Sequence, residues 1–488
     1  MFNVNELKNK YNNIPVQVKA SFWFLVCSFL QRGISVITTP IFTRLLSTTE
    51  YGQYSVFNSW LNILTVFVTL NLYSGVFTSG MVKFEEYRDK FASSMLGLCT
   101  TLVLLWTFVY IIAHNFWNNL FSLTTVQMLA MLVMMWATAA FQFWSVGQRV
   151  DFKYKKLVIV TLIVSLAKPI VGIIFVILAE DKVTARILGL ALVELIGYSG
   201  LAFAQMKRGK VFFSKDIWKY ALAFNLPLIP HYLSTNILNS ADRIMISNII
   251  GASEAGIYSL AYSVSQVMTI FNTALIQTVE PWLYKKIKNN QLSAIPRIAY
   301  ATFALIASVN IMLIALAPEV VSIFAPKSYY EAIMVIPSVA MSVYFMFAYT
   351  YFAVFEFYFK KTKITAIATV SGAALNIILN FILIPIFGYY AAGYTTLLCY
   401  IVYAILHYCA MNYICKKYMN GETPYNLRIL MGITVTFMLI GFMLLLSYNN
   451  IILRYSIIVI LCILIFIEKK KIISIINNLM DVRKESKN

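Results

Sequence analysis

The sequence predicts an all-α polytopic membrane protein with about fourteen transmembrane helices: two six-helix lobes related by a parallel pseudo-twofold repeat, plus two C-terminal helices. Three observations predict this fold class. Of the 488 residues, 60% are hydrophobic and only 12% are charged, whereas soluble domains contain about 25% charged residues. Apolar runs of about 20 residues, long enough to cross a hydrocarbon core, recur along the chain. One pattern of residues near the start returns about two hundred residues later.

The apolar runs are predicted to be helices, because lipid offers the backbone no hydrogen-bond partners. The predicted spans are 20–41, 55–80, 91–113, 126–147, 157–178, 185–206, 220–241, 256–281, 298–317, 332–356, 364–385, 390–411, 428–447 and 451–467. Alternate connections and the two ends hold thirty of the 39 lysines and arginines, and the opposite connections hold six. By the positive-inside rule, both termini are predicted to be cytoplasmic. A missed span would reverse this alternation, and it never reverses.

The repeat relates residues 31–55 to residues 231–259. Arg44 corresponds to Arg243, and the acidic-glycine-tyrosine-serine turn that follows each arginine also recurs. The matched positions of the turn are Glu50 with Glu254, Gly52 with Gly256, Tyr54 with Tyr258 and Ser55 with Ser259. Spans 1 and 7 both run outward, which predicts parallel repeats about an axis along the membrane normal. The predicted domains are an N-terminal lobe (1–206), a basic cytoplasmic linker (207–219), a C-terminal lobe (220–411), and helices 13 and 14 with the tail (412–488).

The sequence argues against a cleavable signal peptide, a metal or cofactor site, nucleic-acid binding and enzymatic catalysis. The first apolar run continues as a full span, so no cleavable signal peptide is predicted. The six cysteines lie within or at the ends of apolar spans without metal-ligand spacing, so neither a metal site nor a cofactor is expected. The charge of +19 orients the protein towards anionic lipid, and nucleic acid is not predicted as a partner. No hydrolase or phosphate-loop motif occurs, which predicts a transporter rather than an enzyme.

Four ionisable residues lie near the middle of predicted spans: Arg32, Lys168, Glu194 and His231. Such residues are costly in lipid and are functional candidates by default. Two of these residues in the first lobe are cations and one is an anion, so the interior of that lobe is predicted to be positively charged. Such an interior suits an anionic ligand, and an arginine can make a bidentate contact to phosphate. Structural alternatives remain open: an ion pair between Lys168 and Glu194, an arginine that braces carbonyls, and a core histidine.

A second group of charges lies at span ends. Arg44, Asp242 and Arg243 mark the outer ends of spans 1 and 7, as a gate closed by ion pairs or as interfacial anchors. Glu280 and Glu356 lie at the cytoplasmic ends of spans 8 and 10, where solvated ends are favoured over an inner gate. Pro227 and Pro230 predict a hinge in span 7, because each proline removes a backbone donor and clashes with the preceding turn.

Four segments of the sequence resemble the polysaccharide transport family of Wzx-type flippases, in the multidrug/oligosaccharidyl-lipid/polysaccharide exporter superfamily. They are RGISVITTPIFTRLLSTTEYGQYSVFNSW, NSADRIMISNIIGASEAGIYSLAYSVSQVM, PEVVSIFAPKSYYEAIMVIPSVAMSVYF and PIFGYYAAGYTTLL. The resemblance implies a fourteen-helix, two-lobed fold whose central cavity opens alternately to each side of the bacterial inner membrane. Its implied cargo is an undecaprenyl-diphosphate-linked oligosaccharide repeat for O-antigen, capsule or exopolysaccharide. Membrane lipids, a polysaccharide polymerase and other assembly proteins are the implied partners.

The resulting hypothesis assigns roles to individual residues. Arg32 and Lys168 would hold the diphosphate, with His231 as a further candidate, and Gln142 and Asn236 would contact sugars. Glu194 would titrate and couple transport to a proton or sodium gradient. Three alternatives remain: a cation-coupled multidrug exporter of the same superfamily, a lipid II flippase, and a membrane polymerase or ligase. The multidrug exporter would favour carboxylates at mid-depth, and the polymerase or ligase a large external loop.

Overall fold

The computed structural model describes residues 15–419 and 423–467, and all regular elements in those ranges are helical. The α-helices are α1 (Val16–Leu45), α2 (Thr48–Thr69), α3 (Gly75–Lys83), α4 (Arg88–Ile112), α5 (His114–Phe121), α6 (Thr125–Val150), α7 (Tyr154–Leu178), α8 (Lys182–Gly209), α9 (Lys215–Asn225), α10 (Ile229–Ile249), α11 (Ala252–Gln266), α12 (Met268–Lys288), α13 (Ile295–Ala315), α14 (Ala317–Phe324), α15 (Ala332–Tyr358), α16 (Thr362–Phe387), α17 (Tyr390–Tyr418), α18 (Leu427–Leu446) and α19 (Ile451–Ile467). The ends that were predicted to be cytoplasmic, 1–14 and 468–488, lie outside the described residues.

Within the described residues, ten helices are long and apolar enough to cross a membrane: α1, α4, α6, α7, α8, α13, α15, α16, α17 and α18. The shorter α19 is also apolar. The prediction of an all-α polytopic membrane protein is confirmed. The count of fourteen spans stays a prediction, because several of the remaining predicted spans are divided between shorter helices.

Three predicted spans are interrupted in the structure. Span 7 is divided between α9 and α10 by a 3₁₀ turn at Leu226–Leu228, which contains Pro227, and Pro230 is the second residue of α10. Span 2 is divided between α2 and α3, and Leu70 and Asn71 adopt left-handed backbone angles at the break. Span 8 is divided between α11 and α12 at Val267. Only the break in span 7 is marked by prolines, so only that break was predicted.

The chain divides into two compact units, one of Met1–Leu46 with Val56–Leu233 and the other of Ser47–Ser55 with Ser234–Asn488. The predicted domain boundaries at 206, 219 and 411 stay predictions. In the first unit, α8 packs along both α6 and α7, and α1 packs against α7. Gly189 of α8 lies so close to Gly172 of α7 that a Cβ on Gly189 would come within 3.2 Å of the Gly172 Cα. Paired small residues permit this close approach of two membrane helices.

In the second unit, α15 is the central helix and is buried along most of its length. It packs against α17, α11 and α13. Gly393 of α17 allows close packing on α15, because a Cβ there would lie 2.3 Å from the Ser338 hydroxyl. This packing buries polar side chains of α15 and α17 among apolar residues, where they must find partners within the protein.

Candidate functional site

The mid-depth charges of the first unit form an ion pair. Lys168 Nζ of α7 lies 2.5 Å from Glu194 Oε1 of α8. The second carboxylate oxygen accepts a hydrogen bond of 3.0 Å from the Thr138 hydroxyl of α6. The close packing at Gly172 and Gly189, about one turn away on each helix, brings the two charges together. The pair is asymmetric: the Glu194 side chain is 5% exposed and the Lys168 side chain 31% exposed.

Lys168 is therefore the more exposed member of the pair. Glu194 is buried and both of its carboxylate oxygens have partners, whereas the side chain of Lys168 reaches the surface of the unit. This geometry confirms the structural alternative of a Lys168–Glu194 ion pair. It also leaves the cation accessible to a second anion, so a ligand-binding role for Lys168 stays a prediction.

The other predicted binding residues of the first unit lie on neighbouring helices. Arg32 is exposed on α1, and the adjacent Gln31 donates a hydrogen bond of 3.1 Å to the Ser165 hydroxyl of α7. Gln142 is half-buried on α6. Ser165 and Lys168 are one helical turn apart on α7, so the Gln31–Ser165 bond places this part of α1 beside the ion pair.

At the end of α1, the guanidinium of Arg44 donates a hydrogen bond of 2.8 Å to the Pro40 carbonyl. This carbonyl is in the preceding turn of the same helix, and a basic residue in the last turn also complements the helix dipole. The anchoring interpretation of Arg44 is thereby supported. Its role in a gate stays a prediction.

Glu50, the acidic residue of the repeated turn, caps the start of α2. Its Oε2 accepts hydrogen bonds from the Ser47 backbone N–H at 2.7 Å and from the Ser47 hydroxyl at 3.0 Å. In return, the Glu50 backbone N–H donates to the Ser47 hydroxyl oxygen at 3.2 Å. This reciprocal arrangement is a capping box, which satisfies free donors at a helix start.

Asp242 of the second unit is a carboxylate held by three hydrogen bonds. It is fully buried. One oxygen accepts hydrogen bonds from the Tyr258 hydroxyl at 2.7 Å and the Thr396 hydroxyl at 2.9 Å, and the other accepts from the Asn380 amide at 2.6 Å. The same amide reaches Asn376 Oδ1 at 3.2 Å, so four helices contribute to one polar cluster.

Arg243 faces a different set of partners from its neighbour. It donates a hydrogen bond of 2.6 Å to the Asn239 carbonyl, and its guanidinium lies 4.0 Å from the centre of the Tyr262 ring. The Asn239 side-chain oxygen accepts hydrogen bonds from Tyr262 and from Tyr400, each at 3.3 Å. Arg243 is thus held against tyrosines by a cation–π contact.

The remaining candidates on α10 lie nearer its start. His231 is half-buried, and its ring centre is 5.8 Å from that of Tyr232. Asn236 is half-buried. The substrate-binding roles of both residues stay predictions. On α12, Glu280 is half-buried and accepts a hydrogen bond of 3.0 Å from the Tyr284 hydroxyl.

The expectation of a solvated Glu356 was wrong. This residue is fully buried on α15, and its Oε1 lies 2.6 Å from Nδ1 of His407, which is 1% exposed on α17. Its Oε2 accepts a hydrogen bond of 2.7 Å from the Thr365 hydroxyl of α16. The error arose because α15 continues to Tyr358 beneath the covering helices, so a position near its sequence end is still inside the packed unit.

The missed residues share a recognisable signal. His407, Asn376 and Asn380 are all polar side chains in otherwise apolar spans, and each is buried in the structure. A search restricted to charged residues near span centres passes over them. No cluster of three or more histidine, cysteine or acidic side chains suited to a metal ion occurs among the described residues.

The fold is that of a class of membrane transporters that includes lipid flippases and multidrug exporters. It is similar to the lipid II flippase MurJ in an inward closed conformation, with a TM-score of 0.65 and 15% identity over 92% of this chain and 99% of that one. It is also similar to an inward-facing multidrug resistance MATE family transporter of the MOP superfamily, with a TM-score of 0.60 and 13% identity over 80% of this chain and 96% of that one.

The sequence identifies the family within this class. Residues 18–287 match the family described as polysaccharide biosynthesis protein, and the chain belongs to that family. A similar curated protein is the Lsg locus putative protein 1 of Haemophilus influenzae, 25% identical over 210 residues, which are 41% of this chain and 51% of that protein. An uncharacterized membrane protein of the same organism is 22% identical over 195 residues, 38% of this chain and 46% of that protein. The chain thus spans about half the length of the curated relatives it matches.

Proposed function

We propose that this protein is a flippase that moves undecaprenyl-diphosphate-linked oligosaccharide repeat units across the bacterial inner membrane. It would work by alternating access and supply O-antigen, capsule or exopolysaccharide synthesis. The observation that carries the proposal is a polysaccharide biosynthesis family membership combined with the fold of a lipid flippase. A polysaccharide polymerase and other assembly proteins would receive the cargo on the outer side.

In this proposal, Lys168 exchanges partners when the cargo binds. Glu194 neutralises the ammonium at 2.5 Å while no ligand is present, and the exposed part of the lysine side chain is where a diphosphate would approach. The diphosphate carries more than one negative charge, so it competes with a single carboxylate. Arg32, on the exposed surface of α1, would supply the bidentate contact.

The amount of polysaccharide on the cell surface is a direct measure of this function. The double variant Arg32→Ala/Lys168→Ala is expected to lose surface polymer while the protein remains in the membrane at its normal amount. The matched control is Lys210→Ala/Lys219→Ala, which also removes two cations, both exposed and outside the proposed site. Normal polymer in the Arg32→Ala/Lys168→Ala strain would refute the cationic-site assignment.

We also propose that a proton or sodium gradient drives the cycle, through Glu194 or Asp242. Asp242 is a buried carboxylate whose partners are neutral oxygen and amide groups, an environment in which a bound cation would offset the charge. The variant Asp242→Asn keeps the shape and removes the charge. Its flipping of a defined lipid-linked sugar in proteoliposomes should lose its dependence on an imposed gradient, whereas gradient dependence equal to wild type would exclude Asp242.

A second candidate function is cation-coupled multidrug export, which the similarity to MATE family transporters favours. A third, lipid II transport, is favoured by the similarity to MurJ. Drug-susceptibility profiling of a deletion strain separates export from flipping, because loss of an exporter sensitises cells to drugs and leaves surface polymer intact. Reconstitution with lipid II beside an oligosaccharide-linked lipid separates the two cargoes.

A further inference from the structure

A basic cavity lies in the first unit, away from the Lys168–Glu194 pair. Its volume is about 820 Å³, and its walls come from the end of α6, the connection after it, the start of α7 and the end of α8. Four cationic side chains line it: Lys153, Lys155, Lys156 and Arg208. These residues lie on the side of the membrane where the distribution of lysine and arginine predicts the cytoplasm.

The cations are only partly neutralised by the protein. Lys153 Nζ lies 2.7 Å from Asp151 Oδ2, and the other oxygen of Asp151 lies 3.4 Å from Arg88. Asp151 is therefore shared between two cations, and the described residues that line the cavity include no acidic side chain. Lys155 and Lys156 are exposed. The cavity thus keeps a net positive charge for an anion.

The cavity is also lined by apolar residues. Trp144, which is 8% exposed, and Leu201 line the inner part. Ile159 lines the outer part and is 58% exposed, and Ile163, one turn further along α7, is 60% exposed. In a membrane-spanning helix, exposed isoleucines of this kind face acyl chains. The cavity therefore opens sideways towards lipid, with both charged and apolar side chains in its lining.

We propose that this cavity binds the headgroup of an anionic phospholipid from the predicted cytoplasmic leaflet, with the first part of an acyl chain against Trp144 and Ile159. A phosphate paired with several flexible lysines needs no fixed geometry, unlike the bidentate recognition proposed at Arg32. The lateral opening and the apolar lining residues favour an amphiphile over a soluble phosphate. Arg32, Lys168 and Glu194 are not among the residues that line this cavity, so its test does not require the cargo.

Lipid binding to the purified full-length protein tests the proposal. Native mass spectrometry in detergent would follow titration with phosphatidylglycerol, with phosphatidylcholine and inorganic phosphate in parallel. Wild type should bind a first phosphatidylglycerol more tightly than either comparison ligand. The triple variant Lys153→Gln/Lys155→Gln/Lys156→Gln should weaken that first binding by about tenfold or more, because each cation near an anionic headgroup contributes to its attraction.

The chain offers a matched control with the same loss of charge. Lys210, Lys215 and Lys219 are exposed in the same unit, lie on the same predicted side and are not in the cavity walls. Their triple glutamine variant should change the affinity by less than about twofold, since screened surface charges act only at short range. Equal losses in the two triple variants would overturn the proposal, as would inorganic phosphate binding as tightly as the lipid.

A second variant addresses the shape of the cavity. Ala204 lines the wall and is exposed, so Ala204→Phe fills the space and leaves all four cations in place. This variant should also lose the first phosphatidylglycerol. Undiminished binding in folded Ala204→Phe would show that lipid is held outside the cavity and would overturn the assignment, even if the lysine variant failed to fold.

Discussion

At the residue scale, the pair of Glu356 and His407 shows how a membrane protein retains charge in its interior. Both oxygens of Glu356 have hydrogen-bond partners, whereas Nε2 of His407 makes no hydrogen bond within the described part of the chain. Two Tyr rings, of Tyr349 and Tyr403, pack near the imidazole with ring centres 5.5 Å away in each case. The buried polar groups of Glu356 and His407 are therefore satisfied mainly by each other.

This arrangement predicts an asymmetry between single and double substitutions. His407→Leu leaves Oε1 of the buried Glu356 without its imidazole partner and should destabilise the second unit by about 1–3 kcal/mol. The double variant Glu356→Leu/His407→Leu removes both polar groups and should lie closer to wild type. Thermal unfolding in detergent would measure both. A double variant less stable than His407→Leu would contradict the prediction.

The same residues mark what sequence reasoning could and could not find. The depth of Lys168 and Glu194 in their spans predicted their pairing as an alternative, because both are charged and lie on consecutive helices. Two partners of Asp242, Asn380 and Thr396, lie more than a hundred residues further along the chain, and no spacing rule connects them to it. Glu356 was misplaced because its burial depends on which helices cover α15, and that is information about packing.

At the element scale, the repeated glycine turn has a direct structural use. In the second unit, the start of α2 meets the start of α11. A Cβ on Gly52 would lie 1.7 Å from the Ala252 carbonyl oxygen, and one on Gly256 would lie 2.1 Å from the Thr48 carbonyl oxygen. The hydroxyls of Thr48 and Ser253 are 2.8 Å apart beside this contact. The two copies of the repeat therefore touch each other at their equivalent glycines.

Substitution of either glycine should separate these helix starts. Gly52→Ala or Gly256→Ala would force backbone atoms apart and should cost about 1–3 kcal/mol, as overpacking does. Gly200→Ala on α8 is the control, because its added Cβ meets no atom within 4 Å and alanine is the better helix former. Melting temperatures of the three variants would decide the point: a Gly52→Ala protein as stable as Gly200→Ala would show that the contact is not constrained.

The breaks in the predicted spans show which helix interruptions a sequence pattern can predict and which it cannot. A hinge in span 7 was predicted because Pro227 and Pro230 disrupt a regular helix, and a 3₁₀ turn lies at Leu226–Leu228. The break at Val267 has no proline or glycine, and its neighbours are as apolar or as small as those inside other helices. Local composition predicts that the helices exist, whereas an interruption without proline or glycine, as at Val267, follows from tertiary packing.

At the scale of the whole molecule, charge distribution and fold give separate information. The helices and the family establish a multi-pass membrane protein of the polysaccharide biosynthesis family. The alternation of lysine and arginine predicts which face is cytoplasmic. The proposed lipid site and the direction of cargo movement both depend on that orientation.

Reporter fusions test the orientation throughout the chain. Alkaline phosphatase needs disulfides that form only outside the cytoplasm, so it should be inactive when fused after Asn488 or inserted after Lys210. It should be active when inserted after Glu180, between α7 and α8, or after Asn449, between α18 and α19. A cytoplasmic reporter at the same four sites should give the opposite pattern. Phosphatase activity at the C-terminus would invert the predicted topology, and the basic cavity would then face the wrong leaflet for its proposed lipid.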